Sequence, residues 1–318
     1  MLESKHLQKT YTWKPVFRPG VSVLAVRDVS LQIRAGETVG LVGESGCGKS
    51  TLARCLAGLE QPSDGGVFYH GEEISRLSLR EARVLRKRIQ YIFQNPVNAL
   101  NPYRTVAQLI AEPLQHFRVG NQKTRMAAVQ RLLDMVELPI DDMDKYPAEL
   151  SRGECQRVNI ARALILEPEI IICDEVISAL DVSIGVQILH LLKTLQRKQG
   201  YGFLFISHDI SRVIQISDWI AVMYMGLLME WAPAAGFHAE ALHPYSQVLL
   251  QAVPSLIPGE FVDHPSTAVE IPDPVFPQHG CPFHTRCPYA TDVCRREVPA
   301  FRSVGQHTVR CHHAEAVR

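Results

Sequence analysis

This 318-residue chain is predicted to form an α/β fold around a mostly parallel sheet. Three features carry that prediction. Short apolar runs with no polar face, Ile89–Phe93, Ile170–Cys173 and Phe203–Ile206, read as strands buried on both sides. Amphipathic stretches of helical period lie between them at 104–118, 122–137 and 183–198. A glycine-rich loop joins a strand pattern to a helix pattern near residue 43, the order expected of an α/β unit.

From 22 to 42 short β-rich runs alternate with turns: Val21–Val26, Val29–Ile33, then Glu37 to Val42, which leads into the glycine loop. The helix that follows, Lys49 to Leu59, carries Leu52, Cys55, Leu56 and Leu59 on one face. Past about residue 232 prolines recur and periodicity fades, so a main domain over 1–232 and a separate, loop-rich appendage over 233–318 are expected. Lys+Arg and Asp+Glu balance at 33 each, which excludes a sequence-independent pull toward nucleic acid or an anionic surface. A hydrophobic content of 46% excludes wholesale disorder. The longest apolar stretch, Trp219 to Met229, is too short for a bilayer that needs roughly 20 residues. Residues 1–20 lack the apolar core of a signal peptide, so a cytosolic chain is expected, held at a membrane only through a partner.

The glycine loop reads Gly43-Glu44-Ser45-Gly46-Cys47-Gly48-Lys49-Ser50-Thr51 and fits G-x-x-x-x-G-K-[ST]. Its glycines let backbone N–H groups close around phosphates, and the helix N-terminus adds a positive dipole end. Lys49 is expected to reach the β/γ-phosphates and the Ser50 hydroxyl to ligate Mg²⁺. Downstream, Ile170–Cys173 ends in adjacent carboxylates, Asp174 and Glu175, a Walker B pattern. Asp174 suits Mg²⁺, and Glu175 suits a water attacking the γ-phosphate. His208, after another apolar strand, is a candidate γ-phosphate contact.

In this order the pieces resemble the nucleotide-binding subunit of an ABC transporter, over residues 1 to about 232. Phe93-Gln94-Asn95-Pro96 resembles the Q-loop, with Gln94 sensing Mg²⁺ and the attacking water. Leu150-Ser151-Arg152-Gly153-Glu154, then Gln156-Arg157 and Ala161-Arg162-Ala163, resemble the signature and its helix. Ser178 to Asp181 resembles the D-loop, and Tyr11 stands where the family stacks an aromatic on adenine. The resemblance implies an ABC-type P-loop NTPase with a helical subdomain at about 97–165. It also implies ATP sandwiched between the phosphate loop of one subunit and the signature (here Ser151 and Gly153) of the other.

Asn98 to Pro102, His243 to Ser246, and Gly280 to Tyr289 are similar to the oligopeptide/dipeptide/nickel importer branch, more narrowly to the second of its two ATPases. That branch implies a heterodimer with another ATPase, two membrane permeases, an extracytoplasmic solute-binding protein, and a peripheral place on the cytoplasmic face of the inner membrane. Its cargo is peptides or related small solutes such as nickel chelates and opines; no nucleic acid is involved. The sequence departs from the family at Arg152 and Glu154, where glycine and glutamine are usual, and at Val176-Ile177, where Pro-Thr is usual. An asymmetric pair of ATP sites is therefore expected, with a regulatory ATP-binding subunit as the alternative function.

Eight cysteines divide unevenly. Cys47 and Cys55 read as packing residues; Cys281, Cys287, Cys294 and Cys311 crowd the last 38 residues at spacing C-x5-C-x6-C-x16-C. Tight zinc knuckles are absent, and four thiolates on a loop-rich scaffold suit an iron–sulfur cluster at least as well as zinc. The resembled branch implies a [4Fe–4S] cluster; zinc, with His284 or His312, and four free cysteines remain the alternatives.

Overall fold

A computed structural model describes residues 1–13, 21–252 and 279–316. In chain order the elements are β1 (Leu2–Trp13), β2 (Val21–Ile33), β3 (Thr38–Val42), α1 (Lys49–Leu56), β4 (Asp64–Tyr69), β5 (Glu72–Glu73), α2 (Leu79–Arg88) and β6 (Ile89–Ile92). Next come α3 (Val106–His116), α4 (Gln122–Met135), α5 (Arg152–Leu164), β7 (Ile170–Asp174), α6 (Val182–Gln199), β8 (Gly202–Ser207) and α7 (Ile210–Ile216). The remainder are β9 (Trp219–Tyr224), β10 (Leu227–Pro233), α8 (Phe237–Glu240), α9 (Pro244–Gln251), α10 (Asp292–Arg296), β11 (Arg302–Val304) and β12 (His307–Val309). The chain divides into two compact units. The first is Met1–Leu2, Ile33–Thr38 and Arg76–Ile206; the second is Glu3–Gln32, Val39–Ser75 and Ser207–Arg318.

In the first unit β6, β7 and β8 run parallel, Ile89 opposite Ile170 and Ile170 opposite Gly202. Every residue of β7 and β8 is buried, which is why their sequences show no polar alternation. Helices α3, α4 and α5 pack together, and their apolar residues Val106, Leu109 and Ile110, Val129, Leu132 and Leu133, and Val158 and Ile160 are buried. Each begins with a capping box, on Thr105, Asn121 and Ser151, which satisfies backbone N–H groups that the first turn leaves unpaired.

In the second unit β3 lies parallel to β9, β9 pairs antiparallel with β10, and β12 and β11 extend that edge. A four-stranded sheet, ordered β2-β1-β4-β5, completes it. The turn expected between Val26 and Val29 does not form. β2 continues through it, and the irregularity is confined to Asp28 (φ 48°), whose carboxylate lies 2.6 Å from Nδ1 of His6 (φ 47°) on the neighbouring strand. The apolar stretch 219–229 is a hairpin whose turn residues, Met225 and Gly226, both have positive φ, as a right-twisted two-residue turn demands. Among the described residues no helix is long and apolar enough to cross a membrane. Helix α1 stops three residues short of Leu59: Gly58 turns left-handed (φ 64°) and leaves Leu59 44% exposed, while Leu52, Cys55 and Leu56 are buried as expected.

Strand β12 and helix α9 meet at Glu230, a fully buried carboxylate on β10. Oε1 accepts from the Leu242 amide at 2.8 Å and stands 2.7 Å from His307 Nδ1; Oε2 accepts from the His243 amide at 3.0 Å. Burial raises the Glu230 carboxyl, but these donors outweigh it and hold the group below its ordinary value. Next to it His243 caps α9, its Nδ1 accepting from the Tyr245 amide at 3.0 Å, and burial pushes this imidazole down to about 4 from 6.5.

Between those two values the unfolded chain binds more protons at His243 than the folded one, so acidification through that window destabilises the fold, by up to about 3 kcal/mol. Urea unfolding followed from pH 7 to about 4.5 should lose stability more steeply in the native chain than in His243→Asn, which keeps a capping oxygen. Equal slopes would mean that His243 does not report the pH dependence.

Candidate functional site

The phosphate loop closes between β3 and α1 in the second unit. A Cβ on Gly43 would overlap the Met223 carbonyl, and one on Gly48 (φ 105°) would overlap that of Ala25, so both positions require glycine. The loop is tied to the β9–β10 turn: the Gly226 amide donates to Cys47 O at 2.9 Å, and the Arg27 amide to Gly226 O at 2.7 Å. Lys49 is 5% exposed, and its ammonium donates to the carbonyls of Gly43 and Glu44, both at 2.8 Å. Ser50 and Thr51, in the first turn of α1, are half-buried; Ser45 and Gly46 are exposed at the loop apex. A cavity of about 210 Å³ beside the loop is lined by Val23, Ala25, Glu44, Cys47, Tyr224 and Gly226 among others. Tyr11, 40% exposed at the end of β1, donates its hydroxyl to Glu60, and Lys9 stands 5.2 Å from its ring centre. His208 is exposed just after β8, before Asp209 caps α7 by accepting from the Ser211 and Arg212 amides.

The expected carboxylates lie in the first unit. Asp174 is 6% exposed at the end of β7 and accepts from the Tyr91 hydroxyl at 2.6 Å. Glu175 follows with a left-handed backbone (φ 50°), a strained conformation for a side chain of this size, held by its amide donating to Ile206 O at 3.0 Å. Gln94 donates to Glu175 Oε2 at 2.8 Å, so two of the residues expected to serve the attacking water are in contact. The segment after Gln94 is anchored on α5: Asn159 donates to Pro96 O at 2.8 Å and Arg162 to Ala99 O at 2.7 Å. Arg162 was legible in the sequence only as part of the family pattern and is half-buried, whereas the buried Asn159 was not singled out; a polar side chain at a core-facing helix position was its signal. Asp181 is exposed at the start of α6, its carbonyl accepting from the Gly185 amide at 2.8 Å. Val176 and Ile177 are buried to 1% exposure, so the departure from Pro-Thr serves the core.

The family model for the ABC transporter matches residues 26–178. That for the oligopeptide/dipeptide transporter C-terminal region matches 229–294. The di/tripeptide transport ATP-binding protein DppF of Pseudomonas aeruginosa is 40% identical over 316 residues, 99% of this chain and 98% of that one. Among solved structures, a dimeric ATP-binding cassette in a post-hydrolysis state, bound to ADP and phosphate, is 30% identical with a TM-score of 0.65, covering 74% of this chain and 99% of its own. The cassette cbiO1 of Clostridium perfringens, part of an ABC transporter complex, is 26% identical with a TM-score of 0.64, covering 75% and 90%. This chain belongs to the ABC transporter family.

In this ABC cassette the altered signature has a local explanation. Ser151 caps α5 by accepting from the Glu154 amide at 3.3 Å, and Glu154 Oε2 accepts from the Ser151 amide at 2.7 Å. These bonds from Ser151, the backbone one foremost, hold the Glu154 carboxyl below its ordinary value. Ser-x-x-Glu is the capping-box pattern, a signal legible in the sequence but there read only as a departure. A Cβ on Gly153 would crowd Ile184 Cγ2 at 2.7 Å, so this glycine serves packing of α5 on α6; Arg152 beside it is exposed.

In the cysteine segment Cys281, Cys287, Cys294 and Cys311 line one small cavity of about 10 Å³ together with His243, His284, His312 and His313. Burial pushes the Cys281 thiol up to about 12 and raises Cys287 and Cys311, and a charge on a neighbouring cysteine would add to each of these rises. Among the described residues no three His, Cys, Asp or Glu side chains are gathered as ligands for one metal ion. Cys47 and Cys55 are buried, with their thiols raised by burial, which fits packing residues.

Because glutamine can close the same capping box, Glu154→Gln should leave unfolding stability within about 0.5 kcal/mol, whereas Glu154→Ala should lose about 1 kcal/mol. Urea midpoints for both variants check this; an alanine variant as stable as the native chain would rule out a capping role.

Proposed function

We propose that this chain is the ATP-hydrolysing subunit of an ABC importer that takes up peptides or related small solutes. The contact that carries the reading is Gln94 on Glu175, a water-polarising carboxylate already oriented by the amide expected beside it. The C-terminal family match and the di/tripeptide transport relative support peptides as cargo. On this reading Gly43 to Thr51 cradle the triphosphate with Lys49 at the β/γ-phosphates, and Tyr11 stacks on adenine. Ser50, Gln94 and Asp174 would hold Mg²⁺, whose charge would offset that of the phosphates. Glu175 takes up a proton as water attacks the γ-phosphate in line, releasing ADP and phosphate, and His208 contacts the γ-phosphate. Ser151, Gly153 and Asp181 serve the nucleotide of a partner ATPase.

The wider assembly is a heterodimer with that second ATPase beneath two permeases, fed by an extracytoplasmic solute-binding protein, with this subunit peripheral on the cytoplasmic face of the inner membrane. The domain boundaries that go with it are a cassette over 1–232, its helical subdomain at about 97–165, and a C-terminal domain over 233–318. The regulatory alternative rested on the departures at Arg152 and Glu154, and a Glu154 carboxylate folded back onto its own helix cap is weak support for it.

For the cysteine segment we propose a [4Fe–4S] cluster held by Cys281, Cys287, Cys294 and Cys311. What supports the reading is that the four cysteines line one cavity and that the sequence resembles the branch carrying such a cluster. When bound, such a group would pin a segment too small to bury much apolar surface of its own.

In the assembled complex Glu175→Gln should cut ATP hydrolysis at least about 100-fold while nucleotide binding persists. Undiminished hydrolysis would remove Glu175 from the chemistry. Anaerobically purified chain should contain about four irons with matching sulfide, lost in Cys287→Ser. One zinc and no iron would overturn the cluster and leave the ATPase reading standing.

A further inference from the structure

Arg286 sits in the cysteine segment, one residue before Cys287, yet its guanidinium reaches the phosphate loop: NH1 donates to Glu44 Oε1 at 2.8 Å. The Arg286 side chain is 9% exposed, lying 5.8 Å from the Tyr224 ring centre and 5.5 Å from that of Phe283, with a longer bond to the Tyr224 hydroxyl at 3.4 Å. The same loop residue is held from a second side, because the Glu44 amide donates to the Tyr245 hydroxyl on α9 at 2.9 Å. Tyr224, Tyr245 and Phe283 pack on one another with ring centres 4.6 to 5.5 Å apart, a rigid base beneath both contacts.

Glu44 is the second residue of the loop, and its carbonyl is one of the two that hold the Lys49 ammonium. A carboxylate here is an electrostatic liability: its charge opposes any phosphate group bound by the neighbouring N–H donors. Arg286 cancels that charge, and with Tyr245 it fixes the backbone whose carbonyl positions Lys49. We infer that Arg286 is a positioning residue for nucleotide binding, through which the C-terminal cysteine segment sets the affinity of the phosphate loop. The inference rests on the ATP-binding reading, and its Cys287 arm rests also on the cysteines holding a common group. It makes any change that displaces Cys281 to Cys287 an event felt at the nucleotide.

The test is the Kd of the full-length chain for a fluorescent ATP analogue with Mg²⁺, measured alongside thermal unfolding. Arg286→Gln should weaken binding roughly fivefold or more, and the native–variant difference should shrink as salt screens Glu44. Arg286→Lys, which restores the charge, should recover most of the affinity. Cys287→Ser should weaken binding too, and the double variant Arg286→Gln/Cys287→Ser should be no weaker than Arg286→Gln alone, because both act through one contact. An unchanged Kd in Arg286→Gln would overturn the inference. So would a loss that Lys does not recover and that follows the unfolding temperature. Additive losses in the double variant would sever the cysteine segment from the loop. A native chain that binds no nucleotide would instead defeat the underlying ATP-binding reading.

Discussion

A loop that wraps an anion with its own backbone has to let other chain segments approach that backbone closely, and much of the second unit follows from this. At Gly43 and Gly48 the neighbouring carbonyls of Met223 and Ala25 occupy the space a side chain would need. β9 and β2 therefore lie directly against the loop. Two backbone hydrogen bonds, from Gly226 to Cys47 and from Arg27 to Gly226, extend the contact into the hairpin turn. Main-chain atoms fixed on all sides lose little further freedom when a ligand arrives, so less binding energy goes into ordering the loop.

Burial of charge organises the C-terminal part. Glu230 has no exposure to water, and such a carboxylate is tolerable only when donors surround it. The amides of Leu242 and His243 and the ring of His307 supply them, drawing α9 and β12 onto β10. A proline-rich stretch with little periodicity is thereby docked by polar contacts as much as by the small apolar cluster of Leu242, Val309, Cys311 and Ala314. Tyr245 and Arg286 reach the phosphate loop from the scaffold so formed.

Strain is placed where chemistry is expected. Glu175 holds a left-handed backbone at the end of a strand whose every residue is buried, and the Ile206 carbonyl accepts its amide. That geometry turns the side chain out of the strand direction toward Gln94. Glu154 illustrates the opposite case, a charge that looks functional by position but is committed to its own helix terminus.

The sequence by itself determined the α/β class, the strand–loop–helix around Lys49, and the carboxylates at the end of β7. Each of these depends on local pattern: apolar runs, glycine spacing and helical period. It also brought Gln94 and Glu175 under suspicion separately, 81 positions apart. Only the tertiary structure decided that these two touch, that β2 runs through Asp28 without a turn, and that 219–229 folds back as a hairpin. It alone decided that Asn159 and Arg162 anchor the segment after Gln94, and that an arginine 242 residues beyond Glu44 neutralises it. The physical reason is one of range. Backbone preference and side-chain periodicity act over a few residues, whereas pairing a buried charge requires a partner that only the completed packing can bring near.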